Sequence, residues 1–231
     1  MRSPSISARA SAYHLFALVF DHPVIELFDD IAAMEFHAAL GNVESALCLR
    51  KSDIPRITGN FHKFESDYIS LFELGVNGMP ACSLHEKDHV DAGNSGLIAQ
   101  DGSDRNPLFH GLLRFYHHFG LRLTDDKAER RLPDHLCCQL EMLSFLCLKE
   151  VRATDDDAAR SYVYAQRDFL ARHPGIWLPR FARTLQTTPA RTETGDFFLA
   201  SANALLRIIK SHTSEYEELP DVSGGPVRTF A

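Results

Sequence analysis

The residues best suited to chemistry in this 231-residue chain are His85-Glu86-Lys87-Asp88-His89, a literal HExxH. On a helix that spacing sets two histidines on one face to hold zinc, while the glutamate activates a bound water. A zinc-dependent hydrolase is therefore the alternative reading of the chain. Its surroundings argue against it: the motif lies in a Gly/Pro-rich stretch, its middle positions are charged, and Val90-Asp91-Ala92-Gly93 brings no third ligand at a familiar spacing. His117-His118 are adjacent and cannot chelate one ion as an i, i+4 pair does. There is no nucleophile elbow and no glycine-rich phosphate loop, so no catalytic residue, metal or cofactor is expected.

Pro133-Asp134-His135 carries a different signal. Proline fixes the entry of the chain, and Asp134 is placed to be the N-cap or first-turn acid of the helix that follows, where a carboxylate meets free N–H groups. His135 lies one residue on. A helix start with a solvated histidine explains the triplet when it is taken alone.

The elements around these residues read as helical nearly throughout. Ile54, Ile57, Phe61, Phe64, Tyr68, Leu71 and Phe72 draw one apolar stripe, with Ser52 as cap and Pro55 in the first turn. Helices are also expected over Ser5 to Phe20, Val24 to Leu40, Pro107 to Phe119, Pro133 to Val151, from Thr154 onward, and Glu193 to Lys210. No strand and no repeat is evident. Two irregular stretches interrupt the helices, Gly75 to Asn106 and Leu121 to Pro133. The second is polar and is expected to be a hinge between a half of about 1–120 and one of about 134–213, within one domain of 1–219. The tail 220–231 is expected to be loose.

Composition narrows the function classes. Thirty-one acids against 24 Lys plus Arg give a net charge of −7, which disfavours a nucleic-acid binder. No apolar run is long enough to span a bilayer. The five cysteines include the adjacent pair Cys137-Cys138 and no CxxC, which points to reduced, mostly buried thiols and a cytoplasmic protein. Together with that acidity, sixteen Phe against six Tyr and one Trp suit apolar or cationic partners.

Three blocks in order resemble the TorD/DmsD/NarJ family of redox-enzyme maturation chaperones. They are Tyr68-Ile-Ser-Leu71-Phe72 with its Gly75 to Pro80 loop, Pro133-Asp134-His135-Leu136 running into Gln139-Leu140-Glu141-Met142-Leu143, and Phe169-Leu170-Ala-Arg-His173-Pro-Gly-Ile-Trp177. Glu86 is matched to a family carboxylate, whereas Arg131-Leu132 replaces the acid found before the hinge proline. The Cys82 loop resembles the branch serving type II dimethyl sulfoxide reductase-like enzymes. The resemblance implies an all-α, TorD-like helical bundle that binds the catalytic subunit of a molybdenum enzyme. It would act on the apo-enzyme body and on a twin-arginine signal peptide where there is one, assisting cofactor insertion. It further implies a peptide- or client-binding set of Tyr68, Leu71, Phe72, Glu86, Asp134, His135 and Trp177, with the first three in a groove unless they are core, and Trp177 as core anchor or groove wall. The expected state is a monomer, with a dimer of exchanged halves as the alternative.

Overall fold

The structure, a computed structural model, describes residues 4–75, 78–90, 107–123, 131–188 and 192–217. Most of the expected hinge (124–130), part of the long Gly/Pro stretch (76–77 and 91–106) and the tail (218–231) lie outside the described residues. The described residues form α1 (Pro4–Val19), α2 (Ile25–Ala32), α3 (Glu35–Ala46), α4 (Phe61–Tyr68), α5 (Pro107–His118), α6 (Leu136–Arg152), α7 (Asp156–Arg172), α8 (Pro174–Thr187) and α9 (Glu193–Glu217). No strand occurs among them, and an isolated antiparallel bridge pairs His85 with His135.

Helix α1 is the axis of the bundle. Ala10, Ala12, Tyr13, Phe16, Ala17, Val19 and Phe20 are all buried, so the helix is covered on most sides, as an apolar helix at the centre of a bundle must be. It lies along α6 and also packs on α3 and α9. Small side chains permit a close approach at the α6 contact, where the Ser144 hydroxyl donates to the Ala10 carbonyl at 2.9 Å. Helices α6, α7, α8 and α9 then pack in succession. An N-terminal helix inserted between C-terminal ones makes the two sequence halves one packed body.

Three expectations change at helix ends. The helix expected from Ile54 starts instead at Phe61, where Asn60 accepts from the Lys63 N–H at 3.0 Å. Pro55 disfavours a helical residue before it, and the N–H groups of Thr58 and Gly59 donate to Glu193 at the start of α9. Ile54 and Ile57 are buried all the same, from non-helical backbone. The single helix expected over Val24 to Leu40 breaks at Met34, whose φ of +68° lies in the left-handed region. Helix α8, absent from the sequence reading, begins at Pro174, a favoured first-turn residue. Beyond α4 the chain widens into one π-helical turn, Ile69–Glu73, in which the Leu74 N–H reaches the Ile69 carbonyl five residues back at 2.9 Å.

Candidate functional site

The segment that carries HExxH folds as a strap, residues 78–90, across the start of α6 and one face of α8. Its middle is a single 3-10 turn, Glu86–Asp88, not an α-helix, so the two histidines do not share a helical face. The His89 Nε2–H donates to the Ser83 carbonyl at 2.7 Å, and its ring lies on Trp177 with centroids 5.3 Å apart and planes at 18°. Burial pushes His89 below the usual histidine range. His85 turns the other way, its Nδ1 meeting Asp134 Oδ1 at 3.0 Å. Among the described residues no cluster of three or more His, Cys, Asp or Glu is placed to hold a metal ion.

Glu86 is the hub. It is 3% exposed, and its carboxylate accepts from Gln139 Nε2 at 2.5 Å and from His173 Nδ1 at 3.1 Å. Gln139, fully buried, uses its other atom to accept from the Trp177 indole N–H at 2.9 Å. One carboxylate thus joins the strap to α6 and to the residue between α7 and α8, and Gln139 carries the link on to α8. A buried charge of this kind persists only with such partners.

Asp134, also fully buried, is not the cap of α6. His135 is: its Nδ1 accepts from the Cys137 N–H at 3.2 Å. This leaves the Asp134 carboxylate to hold the strap, through His85 and through the Lys87 N–H at 3.3 Å. Two backbone bonds complete the seam, Glu86 N–H to Asp134 O at 3.0 Å and Leu136 N–H to Leu84 O at 2.8 Å. The second satisfies one of the N–H groups that a helix start leaves open. Burial pushes His135 down to about 3, with the neighbouring His85 and Arg131 charges acting in the same direction, so it is neutral at neutral pH.

The remaining expected site residues lie in the core. Tyr68, Leu71 and Phe72 are buried, within an aromatic cluster in which Phe72 packs on Phe20, Tyr68, Phe181 and Phe198. The Tyr68 hydroxyl donates to the Phe20 carbonyl at 3.0 Å, and burial raises its pKa. The open groove expected at these three is therefore closed in this structure. Trp177 is a core anchor, fully covered. Sequence reasoning missed Gln139 and His173 as partners of Glu86. Both stand inside the quoted blocks, but only the fold brings positions 86, 139 and 173 together. Apolar surface is open where Phe109, Leu113, Leu123 and Leu132 line a cleft of about 660 Å³ together with Arg122 and Arg131.

Residues 20–183 match the family model described as nitrate reductase delta subunit. The chain belongs to this family. Similar family proteins include a selenate reductase assembly chaperone of Thauera selenatis, 32% identical over 91% of each chain. A dimethyl sulfide dehydrogenase assembly chaperone of Rhodovulum sulfidophilum is 35% identical over 78% of this chain and 70% of its own. A chlorate reductase assembly chaperone of Ideonella dechloratans is 34% identical over 69% and 73%. The fold is similar to the crystal structure of a redox enzyme maturation protein from Archaeoglobus fulgidus, with a TM-score of 0.50 and 16% identity over 86% of this chain and 93% of that one. These family members are named for assembly rather than catalysis, in agreement with a chain that is not an enzyme, and they fall in the branch expected from the resemblance. No helix among the described residues is long and apolar enough to cross a membrane.

Proposed function

We propose that the protein is an assembly chaperone for the catalytic subunit of a molybdenum enzyme of the selenate, chlorate or dimethyl sulfide dehydrogenase type. The observation that carries this reading is the 32% identity to a selenate reductase assembly chaperone over nearly the full length of both chains. The protein acts in the cytoplasm, holding the apo-subunit for cofactor insertion and covering a twin-arginine signal where the client has one. An acidic protein suits a peptide with a basic end, and apolar segments of an unfinished subunit need apolar cover. The exposed Leu132 lines the hinge cleft, and His135, whose N–H donates to the Leu132 carbonyl at 3.1 Å, faces His85 of the strap; this edge is where the client is first met. Glu86, Asp134 and Trp177 shape that edge from beneath, and Leu71 and Phe72 extend it inward.

Affinity purification of the tagged chain from its host, with mass identification of what is bound, should recover a molybdoenzyme catalytic subunit. His135→Ala should reduce the recovery, and deletion of the gene should lower the activity of that enzyme. A chain that recovers no such subunit, and whose deletion leaves molybdoenzyme activity intact, refutes the reading. Light scattering of the free chain and the complex separates a monomer from a dimer with exchanged halves.

A further inference from the structure

The strap covers an apolar bed with Cys82, Leu84 and His89 and is fastened at its edge by polar bonds. Beneath it lie Leu71, Trp177 and Phe181, continuous with the aromatic cluster through Phe72, whose ring stacks on Phe181 at 6.2 Å. The Cys82 N–H donates to the Leu71 carbonyl at 2.8 Å, and the Cys82 thiol points at the Phe181 carbonyl at 3.7 Å. Leu84 is buried and His89 lies flat on Trp177. The fastenings are the Glu86 carboxylate on Gln139 and His173, the Asp134 carboxylate on His85 and the Lys87 N–H, and the two backbone bonds beside them.

Water can replace each of those bonds when the strap lifts, whereas it cannot satisfy the bed. Outside its single 3-10 turn the strap has no helical ladder of its own, so it can open without unfolding any of the helices beneath it. A partner that covers the bed shifts the balance toward the open form by as much as it prefers that form. Gly75 and Gly78, with φ of +50° and +75°, mark the end at which the strap leaves the π-helical turn.

We propose that residues 78–90 are a displaceable lid, and that an apolar segment of the client replaces the strap on Leu71, Trp177 and Phe181. The same segment would take up the Leu71 and Asp134 carbonyls and the Leu136 N–H that the strap gives up. This rests on the chaperone reading above, and it explains why the residues expected in a binding groove are covered in the free protein.

The chain contains its own reporter, because Cys82 sits on the strap while Cys147 sits in α6 far from it, both buried and unpaired. Labelling of the native protein with N-ethylmaleimide, followed by peptide mass analysis, gives a rate for each thiol in one sample. Cys82 should react at least about tenfold faster than Cys147, because it opens locally while Cys147 needs the bundle to open. Glu86→Gln, which keeps the shape of the hub, should raise the Cys82 rate further, with Cys82 still faster than Cys147 by at least about tenfold. In the complex with the co-purified subunit the Cys82 rate should rise again.

Equal rates for Cys82 and Cys147 in the free wild-type chain overturn the lid, whether or not the variant folds. A recovered subunit that leaves Cys82 as slow as in the free chain overturns the exchange of strap for client while leaving the chaperone reading intact. A fast Cys82 in a chain that recovers no subunit overturns the occupant together with the chaperone reading.

Discussion

Replacing Gln139 by Leu tests the hydrogen-bonded hub with little change of volume, so the response reads polar satisfaction rather than a cavity. Gln139 is fully buried, donates to Glu86 at 2.5 Å and accepts from the Trp177 indole at 2.9 Å. The substitution leaves a buried carboxylate short of one donor and a buried indole N–H without an acceptor. Each such orphan costs about 1–3 kcal/mol, so the loss should be about 2–5 kcal/mol. Against a total stability of about 5–15 kcal/mol that is a large share. With a urea m-value of about 2–3 kcal/mol/M for a chain of this size, the midpoint should fall by about 1–2 M. Circular dichroism reports the helices, and fluorescence reports the site directly because Trp177 is the only tryptophan. Glu86→Leu/Gln139→Leu together should cost at least about 1 kcal/mol less than the two single changes added, since removing both partners leaves fewer orphans. A midpoint shift below about 0.3 M for Gln139→Leu, or strict additivity in the double variant, would refute the view that this network holds the strap.

Three histidines set an acid limit. His89, His135 and His212 are all pushed below the usual range by burial, His135 to about 3, and His212 sits between the Tyr13 and Tyr216 hydroxyls at 2.7 and 2.5 Å. Below about pH 6.5 the unfolded chain takes up protons that the folded chain refuses, so their contribution is complete above that pH and is lost as pH falls, by up to about 1.4 kcal/mol per unit per histidine. Urea midpoints measured from pH 8 to 5 should therefore drop below about 6.5; a flat or rising profile contradicts the assignment. Gly75→Ala should cost at least about 2 kcal/mol, because φ is +50° and an added Cβ would meet the Met79 carbonyl oxygen at 1.7 Å, whereas Gly120→Ala, at φ +79° in open space, should cost only about 1. Comparable losses for the two by thermal melting would show that the Gly75 turn is not a tight one. Phe198→Ala should cost about 3–5 kcal/mol, since the ring is fully buried among Phe20, Phe64, Tyr68 and Phe72; a loss under about 1 kcal/mol in urea would contradict that packing.

Helical class was legible because apolar spacing is a local property. Leu136, Leu140, Leu143 and Cys147 announce α6 without help from the rest of the chain, and all four are buried as that stripe requires. The start of α4 was not legible, because the stripe from Ile54 to Phe72 is continuous while the backbone before Asn60 is held by Glu193, a residue far along the chain. The same distinction governs the site. Pro133-Asp134-His135 could be singled out from its letters, but the exchange of roles, with His135 capping α6 and Asp134 fastening the strap, depends on what lies opposite.

By itself the sequence determined that the protein is helical, acidic and without recognisable catalytic machinery, and that its blocks match those of maturation chaperones. Periodicity, charge and motif order need no knowledge of distant contacts. Only the tertiary structure decided that HExxH is a fastening strap, that Glu86 answers to Gln139 and His173, and that Leu71, Phe72 and Trp177 lie covered. Those outcomes depend on which residues meet across tens of positions, and the packing of α1 against α6 and of the strap against α8 is what sets those meetings.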